Sequence, residues 1–205
     1  MIQLYTWGTP NGKKVSILLE EIGMPYEVHP VNIHKGDQFK PEYLAINPNS
    51  KIPSIIDTEG PGGKPFTLFE SGAILMYLAE KSGELWPADL RRRYTVIQWL
   101  MFQMGGVGPM FGQANYFYRL DEKVPYAIER FRKEAVRLYG VLDKELGRRD
   151  YLAGEFSIAD IATYTWVGRH EGHHVKLEEF PSVKRWFDTI SQRPAVQRGM
   201  EIPKL

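Results

Sequence analysis

Cysteine does not occur among the 205 residues. Its absence excludes disulfide bonds, thiolate metal ligands and any mechanism in which a protein thiol is the nucleophile. No apolar run approaches the ~18 residues that a membrane-spanning helix needs, and the chain does not open with the basic and then apolar pattern of a secretory signal. We therefore expect a cytoplasmic protein without a membrane association.

An excess of charge and a phosphate-binding loop are also lacking. The formal net charge is +1, which gives no reason to expect nucleic-acid binding. Neither a Walker A motif nor Gly-x-Gly-x-x-Gly is present, because Gly105-Gly106-x-Gly108 follows a helical pattern rather than a strand. Three histidines, at positions 170, 173 and 174, lie close together, but no carboxylate pattern completes a metal site, so we expect no metal.

The first part of the chain alternates between strand and helix patterns. Ile2-Gln3-Leu4-Tyr5 predicts a strand, and Val15, Leu18, Leu19 and Ile22 share one face of a helix that ends at Gly23. Further strands are predicted over 26–29, 54–57 and 65–69, a short or irregular helix over 36–44, and a helix over 71–81. The order βαβαββα predicts an α/β thioredoxin-like N-terminal domain over residues 1–81.

The rest of the chain reads as helical. Residues 82–90 predict a linker, and no convincing strand pattern follows it. We predict an apolar helix over 90–104 that is broken at 105–109, a long helix over 124–146, a capping box at Ser157-Ile158-Ala159-Asp160 and a helix that begins at Pro181. Residues 91–205 are therefore expected to form an all-α C-terminal domain.

Two short segments predict a site for a small acidic peptide. Lys51-Ile52-Pro53 leads into a strand, and an Ile-Pro bond can be cis in such a turn, which leaves the preceding N–H and C=O for an extended ligand. Glu70-Ser71 places a carboxylate and a hydroxyl at a helix start, where free N–H groups attract an anion. One end of the ligand would thus carry an ammonium and a carboxylate.

These elements together resemble the cytosolic glutathione transferases over essentially the whole chain. The motifs that carry the resemblance are Lys51-Ile52-Pro53, Glu70-Ser71-Gly72-Ala73-Ile74 and the capping box. Segments 9–14, 36–39, 98–100, 105–110 and 125–130 look like the bacterial Nu-class members. That likeness implies glutathione-dependent disulfide reductase activity, with two glutathiones or one glutathione disulfide in each site.

The resemblance also implies roles for individual residues. Ile52 would pair its backbone with the cysteinyl part of glutathione beside a cis Pro53, and Glu70 and Ser71 would hold the γ-glutamyl ammonium and carboxylate. The glycine carboxylate would meet Lys51 and Gln38. Plain structural roles for these residues, as turn, cap or solvated side chains, remain the alternatives.

The thiol of glutathione would lie at the start of the first helix. Thr9 and Asn11 are the donors available there to stabilise a thiolate. Tyr5 is an alternative donor, since other classes of the family use a phenol, but its place inside the first strand favours a core role. Asn11 could also serve only as the helix N-cap.

The helical domain would complete the site. Arg130 matches an arginine that reaches glutathione from the neighbouring subunit, which implies a homodimer; Arg132 and Arg137 are alternatives on the same helix, and an ion pair with Glu129 or Glu134 is the simpler role. The aromatic segment Asn115-Tyr116-Phe117-Tyr118 would line the acceptor pocket or pack in the core.

Three functions follow from these features. The leading expectation is a glutathione-dependent disulfide-bond reductase that uses bound glutathione thiolate and acts on small disulfides. The alternative is a glutathione transferase or peroxidase acting on small electrophiles or hydroperoxides. A non-enzymatic adaptor with the same fold is disfavoured, because the residues that would contact glutathione are all present.

Overall fold

A computed structural model of the chain describes residues 1–204. The strands are β1 Ile2–Thr6, β2 Tyr26–Pro30, β3 Ser54–Asp57 and β4 Phe66–Phe69. The helices are α1 Pro10–Glu21, α2 Pro41–Leu44, α3 Ser71–Ser82, α4 Leu90–Phe102, α5 Gly108–Arg119, α6 Pro125–Leu146, α7 Ile158–Val167, α8 Pro181–Ser191 and α9 Pro194–Glu201. Over the described range, no helix is both long and apolar enough to span a membrane.

The strands form one mixed sheet in the order β2-β1-β3-β4. β1 pairs in parallel with β2, with Leu4 opposite Val28, and antiparallel with β3, with Leu4 opposite Ile55. β3 and β4 form the antiparallel hairpin. This topology confirms the predicted thioredoxin-like βαβαββα order.

Apolar side chains on one side of β1 and on two helices form the core around the sheet. Ile2 and Leu4 alternate along β1 with less buried residues, as expected for a strand that covers helices on one face. α1 and α3 contribute the fully buried Leu18 and Ile74. α1 begins at Pro10, whose missing N–H is harmless in a first turn.

The chain divides into two compact units, and the boundary differs from the expected one. The first unit comprises Met1–Trp86 and the segment that begins at Arg193; the second comprises Pro87–Gln192. The sequence predicts a single helical domain over residues 91–205. The segment from Arg193 instead belongs to the first unit because α9 packs along α1.

Polar contacts fasten α9 to α1. Lys13 Nζ donates to the carbonyl oxygens of Met200 and Ile202 at 2.5 and 2.6 Å, and Ser16 Oγ donates to Gly199 O at 2.7 Å. Cations near a helix C-terminus are favourable because they satisfy its last carbonyl groups. Lys13 of α1 thus binds the carbonyl groups at the C-terminal end of α9.

In the second unit, the structure differs from the sequence prediction at one place. A helix break was expected at 105–109, but the chain remains helical from α4 through a π-helical turn, Gln103–Val107, into α5. Gly108 allows a close approach there, since a Cβ atom would lie 2.8 Å from Gln103 Nε2. Pro109 falls in the first turn of α5, where a missing N–H is tolerated. The glycine-rich segment therefore widens the helix without ending it.

The predicted capping box is confirmed at the start of α7. Ser157 is the N-cap, and its backbone N–H donates to Asp160 Oδ2 at 3.0 Å. The buried Asp160 carboxylate also accepts from Leu152 N and Trp186 Nε1, both at 2.9 Å. Burial raises the pKa of Asp160 to about 6, while these donors favour its ionised form. One carboxylate therefore joins a loop, α7 and α8.

Candidate functional site

The start of α1 presents a hydroxyl at its N-cap. Thr9 has extended backbone angles, and its Oγ1 accepts from Gly12 N at 3.3 Å. The N-cap role considered for Asn11 is therefore wrong: Asn11 lies within the first turn, after Pro10. Because the Thr9 oxygen accepts the cap hydrogen bond, its O–H proton can still be donated to a ligand.

Gly12 brings this turn against the end of β1. A Cβ atom at Gly12 would lie 2.3 Å from Trp7 O and 2.5 Å from Thr6 Oγ1. Real side chains do not tolerate such distances, so only glycine allows this approach. The position of Thr9 relative to the sheet depends on it.

Tyr5, the alternative thiol donor, belongs to a different surface. Its ring stacks on His29 of β2 with a centroid separation of 4.6 Å and lies 6.3 Å from the ring of Tyr43. With His29 and Tyr43 it lines a separate cavity of about 330 Å³. Burial, with a smaller effect of the Glu27 carboxylate, raises the pKa of Tyr5. Tyr5 is thus engaged with β2 and Tyr43 rather than with the start of α1.

The segment before β3 contains the predicted cis bond, at Ile52–Pro53. The segment is anchored through Lys51. The carbonyl oxygen of Lys51 accepts hydrogen bonds from Tyr43 Oη at 2.5 Å and from Asn47 Nδ2 at 2.7 Å. Among residues 1–204, the N–H and C=O of Ile52 make no hydrogen bond. The structure thus holds one backbone donor and one acceptor unused at a firmly anchored turn.

Gln38 lies in the short helical segment before α2. Its Nε2 donates to Ile33 O at 3.4 Å, and its buried Oε1 accepts no hydrogen bond from a described residue. A side-chain amide has two N–H donors and a carbonyl acceptor, so most of this capacity is not used within the fold. The side chain of Lys51 is exposed and forms no ion pair within the described chain.

Glu70 and Ser71 stand at the start of α3, as predicted. Glu70 has φ 72° and ψ 110°, a left-handed backbone that is unusual for glutamate and marks a constrained position. Its exposed side chain makes no capping hydrogen bond. Ser71 follows as the first residue of the helix and is 4% exposed. A carboxylate and a hydroxyl therefore meet where the helix dipole favours an anion.

Lys14 is a residue near this site that the sequence argument missed. Its side chain is only 1% exposed, and Nζ donates to Ser71 Oγ at 3.2 Å. Burial lowers the pKa of Lys14 to about 7, although the Glu70 carboxylate acts in the opposite direction. A signal existed in the sequence, because Lys14 precedes Leu18 by four residues and so falls on the apolar face of α1.

Arg130 lies on the second unit. It lines an open cavity of about 710 Å³ between α5 and α6, together with Tyr126, Glu134 and Arg137. Arg137 binds Glu134 through two hydrogen bonds of 2.7 Å, and the carboxylate of Glu129 pairs with Arg132 and Lys133. Within the described residues Arg130 has no ion pair, which distinguishes it from the other two candidate arginines.

The aromatic segment of α5 divides between core and surface. Phe117 stacks on Phe131 of α6 at 5.3 Å, whereas Tyr116 is 59% exposed. Asn115 and Tyr118 line a cavity of about 350 Å³ with Arg119, Arg169 and His174, among other residues. The segment therefore contributes to a cavity within the second unit and to its packing.

The histidine cluster is a packing feature. His173 is 1% exposed, and its Nδ1 is 3.1 Å from Tyr139 Oη. His170 Nδ1 lies 3.0 Å from Val175 O. In the part of the chain that the structure describes, no group of three or more His, Asp or Glu side chains could hold a metal ion.

The fold and the two motifs at one end of the β3–β4 hairpin define a glutathione transferase-type protein. The family model described as "Glutathione S-transferase, N-terminal domain" matches residues 1–80, and the one described as "Glutathione S-transferase, C-terminal domain" matches residues 107–194. The chain belongs to the glutathione S-transferase family, which confirms the resemblance inferred from its motifs.

Similar proteins carry more specific names. "Disulfide-bond oxidoreductase YfcG" of Escherichia coli (strain K12) is 46% identical over 203 residues, covering 98% of this chain and 94% of the relative. "Disulfide-bond oxidoreductase YghU" of the same organism is 41% identical over 214 residues, covering 97% of this chain and 73% of the relative. Both similarities extend across the two units.

Solved structures share the whole fold. A glutathione transferase family member from Pseudomonas fluorescens pf-5, with two glutathione bound, has a TM-score of 0.95 at 53% identity and covers 98% of this chain and 93% of its own. A glutathione transferase from Pseudomonas putida, with one glutathione disulfide bound per subunit, has a TM-score of 0.94 at 48% identity. The match covers 98% of this chain and 91% of the Pseudomonas putida chain.

Proposed function

We propose that the protein is a glutathione-dependent disulfide-bond reductase. The observation that carries the proposal is the start of α1, where a threonine hydroxyl caps the helix in a chain without cysteine. Such a site can stabilise the thiolate of a bound thiol but cannot form a covalent bond to sulfur itself. The similarity to two disulfide-bond oxidoreductases supports the same assignment.

Glutathione would be held along the edge of the first unit. The unused N–H and C=O of Ile52, beside Pro53, suit strand-like pairing with the cysteinyl residue. Glu70 and Ser71 supply an anion and a hydroxyl for the ammonium and carboxylate of the γ-glutamyl end. Lys51 and the second N–H of Gln38 Nε2 would donate to the glycine carboxylate.

Thr9 and Asn11 would activate the thiol. The N-terminus of α1 supplies a positive potential, and hydrogen bonds to the sulfur favour its ionised form over its neutral form. The pKa of a free thiol is about 8.5, so a lower value increases the thiolate fraction at neutral pH.

The reaction needs two glutathiones and no protein sulfur. A glutathione thiolate attacks one sulfur of the disulfide, a new S–S bond forms, and the other sulfur leaves as a thiolate. A second glutathione thiolate attacks the mixed disulfide and releases the second product thiol. The substrate disulfide gains two electrons and two protons, and the two glutathiones become glutathione disulfide. The protein contributes proximity and stabilisation of thiolates. Because reduced glutathione is maintained in the cytosol, this chemistry fits a cytoplasmic enzyme.

We also propose a homodimer as the active unit. Leu90, Tyr94 and Met101 are 64%, 62% and 46% exposed, and their spacing places them on one face of α4. An exposed apolar face of this kind suits a two-fold contact with a second copy. Arg130, which has no ion pair with any residue from 1 to 204, would then reach a glutathione held by the neighbouring subunit.

The test is a pair of glutathione-dependent assays with purified protein. Reduction of hydroxyethyl disulfide is measured beside conjugation of a chloro-nitrobenzene. Strong disulfide turnover with weak conjugation is the expected result. The reverse result would contradict the proposal and identify a transferase, whereas inactivity in both assays without glutathione binding would identify an adaptor. Light scattering of the wild type and of Tyr94→Glu tests the dimer, which the introduced charge should weaken.

A further inference from the structure

Two buried side chains converge on one backbone carbonyl group beside the proposed glutathione site. Tyr43 of α2 is 5% exposed, and Asn47, which follows that helix, is 2% exposed. Both donate a hydrogen bond to the carbonyl oxygen of Lys51. A carbonyl oxygen has two lone pairs, so these two donors use its full capacity. The orientation of this carbonyl group is therefore fixed from inside the fold.

The direction of each hydrogen bond follows from its neighbours. Lys51 O can only accept, so the Tyr43 proton points towards it, and the Ser54 hydroxyl, 3.0 Å from Tyr43 Oη, donates to the tyrosine oxygen. Asn47 Oδ1 accepts from Asn49 N at 2.9 Å, which turns its Nδ2 towards Lys51 O. Neither side chain can rotate without breaking a second contact, so both donors are held in place.

The peptide unit between Lys51 and Ile52 carries this orientation to the next N–H group. The Lys51–Ile52 bond is trans, unlike the Ile52–Pro53 bond that follows it. In a planar trans unit the C=O and the N–H point in opposite directions. Because the Lys51 carbonyl points towards Tyr43 and Asn47, the N–H of Ile52 points away from them. No residue from 1 to 204 accepts a hydrogen bond from that N–H.

We propose that Tyr43 and Asn47 are positioning residues that aim the N–H of Ile52 at the cysteinyl carbonyl of glutathione, an inference that rests on the proposed function. They act through the Lys51–Ile52 peptide, since their own polar groups are engaged within the fold. A hydrogen bond weakens as it departs from linearity, so a peptide plane that is fixed before binding favours affinity. Loss of one donor should let that plane rotate.

The backbone of this turn depends on the same contacts. Ser50, directly before Lys51, has φ 51°, a left-handed conformation that is uncommon for serine. Such a conformation persists only where the surrounding structure fixes it. Ser50 N donates to Asn47 O at 3.0 Å, so Asn47 holds the turn through its backbone as well as its side chain. The peptide that follows Ser50 is therefore oriented before any ligand binds.

The test is a double-mutant cycle between Tyr43→Phe and one carbonyl group of the ligand. The ligands are S-methylglutathione and an isostere in which an alkene replaces the Cys–Gly peptide bond, which removes the cysteinyl carbonyl. Calorimetry gives the affinity of the wild type and of Tyr43→Phe for each ligand. We expect Tyr43→Phe to weaken binding of S-methylglutathione by roughly 3- to 10-fold and binding of the isostere by less than about twofold.

Tyr77→Phe is the matched control, because it also removes a tyrosine hydroxyl from a hydrogen bond to β3. Tyr77 Oη donates to the buried Asp57 at the far end of that strand, at 2.5 Å. The control should bind both ligands as the wild type does. A Tyr43→Phe protein that weakens both ligands by the same factor, or neither, would overturn the inference and leave the proposed function intact. A wild type that does not bind S-methylglutathione would contradict the proposed function itself, and the inference with it.

A second measurement uses only the wild type, in case Tyr43→Phe does not fold. Nuclear magnetic resonance follows hydrogen exchange of the Ile52 amide in the free protein and with each ligand at saturation. We expect fast exchange in the free protein, at least about tenfold slower exchange with S-methylglutathione, and little change with the isostere. Equal slowing by the two ligands would overturn the inference, because the N–H of Ile52 would then not be aimed at the cysteinyl carbonyl.

Discussion

Gly199 of α9 and Ile17 of α1 are in direct backbone contact. A Cβ atom on Gly199 would lie 2.5 Å from Ile17 Cα and 2.7 Å from Ile17 N. Neither atom can move without moving α1, because both belong to the helix backbone. The two helices can therefore pack at this distance only with glycine at position 199.

Gly199→Ala should destabilise the first unit. Separating α9 from α1 should cost about 1–3 kcal/mol, the range for overpacked sites, and should also loosen the Lys13 hydrogen bonds to the end of α9. Chemical denaturation measures the change in free energy of unfolding. Gly140→Ala is the control, because nothing lies within 4 Å of its Cβ position on α6, and it should stabilise by about 0.5–1 kcal/mol. Equal effects of the two variants would refute the packing argument.

Gly12→Ala should impair glutathione binding more than any other single methyl addition near α1. The methyl group would meet Trp7 O and Thr6 Oγ1, so the first turn and the Thr9 hydroxyl must shift. We expect a loss of glutathione affinity of at least about tenfold, since a hydrogen bond to a charged group is worth about 1.5–3 kcal/mol. Gly8→Ala, with open space around its Cβ position, should retain wild-type affinity in the same calorimetric titration.

Thr9→Val should raise the pKa of the bound glutathione thiol. The variant keeps the shape of threonine but removes the hydroxyl, and loss of a hydrogen bond to the thiolate favours the neutral thiol. The pH dependence of kcat/KM for disulfide reduction, or the ultraviolet absorbance of the bound thiolate, reports this pKa. Loss of the N-cap costs about 1 kcal/mol of stability as well. Thr9→Ser should therefore restore both properties, and failure of that rescue would assign the effect to shape alone.

His173 should make the second unit sensitive to acid. Burial, aided by the charges of Arg169, His170 and His174, lowers the pKa of His173 to about 3 in the folded protein. The unfolded chain, with an ordinary histidine pKa of about 6.5, binds the proton more readily, so stability falls as the pH drops from 6.5 towards 3. The loss at pH 5 should reach about 2 kcal/mol.

The matching variant is His173→Gln, examined by denaturation between pH 7 and 4. It should be less stable than the wild type at pH 7, because it loses the contact with Tyr139, yet its stability should decline less as the pH falls. His34→Gln, at an exposed histidine, should retain the wild-type pH dependence. A His173→Gln protein with an unchanged slope would show that other groups cause the acid sensitivity.

Local sequence patterns were sufficient to predict most strands and helices of the first unit. The strand at Ser54–Asp57 and the helix from Ser71 follow from apolar spacing and from a hydroxyl residue at a helix start, which are properties of adjacent residues. The capping box at Ser157 is equally local. The cis bond at Ile52–Pro53 was predicted on the basis of the family resemblance together with its place before a strand.

Local sequence patterns could not predict contacts between residues that are far apart in the chain. The hydrogen bond between Lys14 and Ser71 joins two helices, and nothing adjacent to either residue specifies the other. The assignment of α9 to the first unit depends on the fit of Gly199 against Ile17, which sequence spacing does not encode. Glycine is a poor helix former, so Gly105 and Gly106 predict a helix break, but tertiary packing overrides that weak local preference.

The place of α9 in the first unit has a consequence for biosynthesis. Translation proceeds from the N-terminus at ~5–20 residues per second, so the sheet and α1 leave the ribosome several seconds before the segment from Arg193 is made. During that interval Ile17 and its neighbours on α1 lack their covering helix. The first domain to emerge is thus the last to be completed, and nascent chains should depend on chaperones until α9 closes over them.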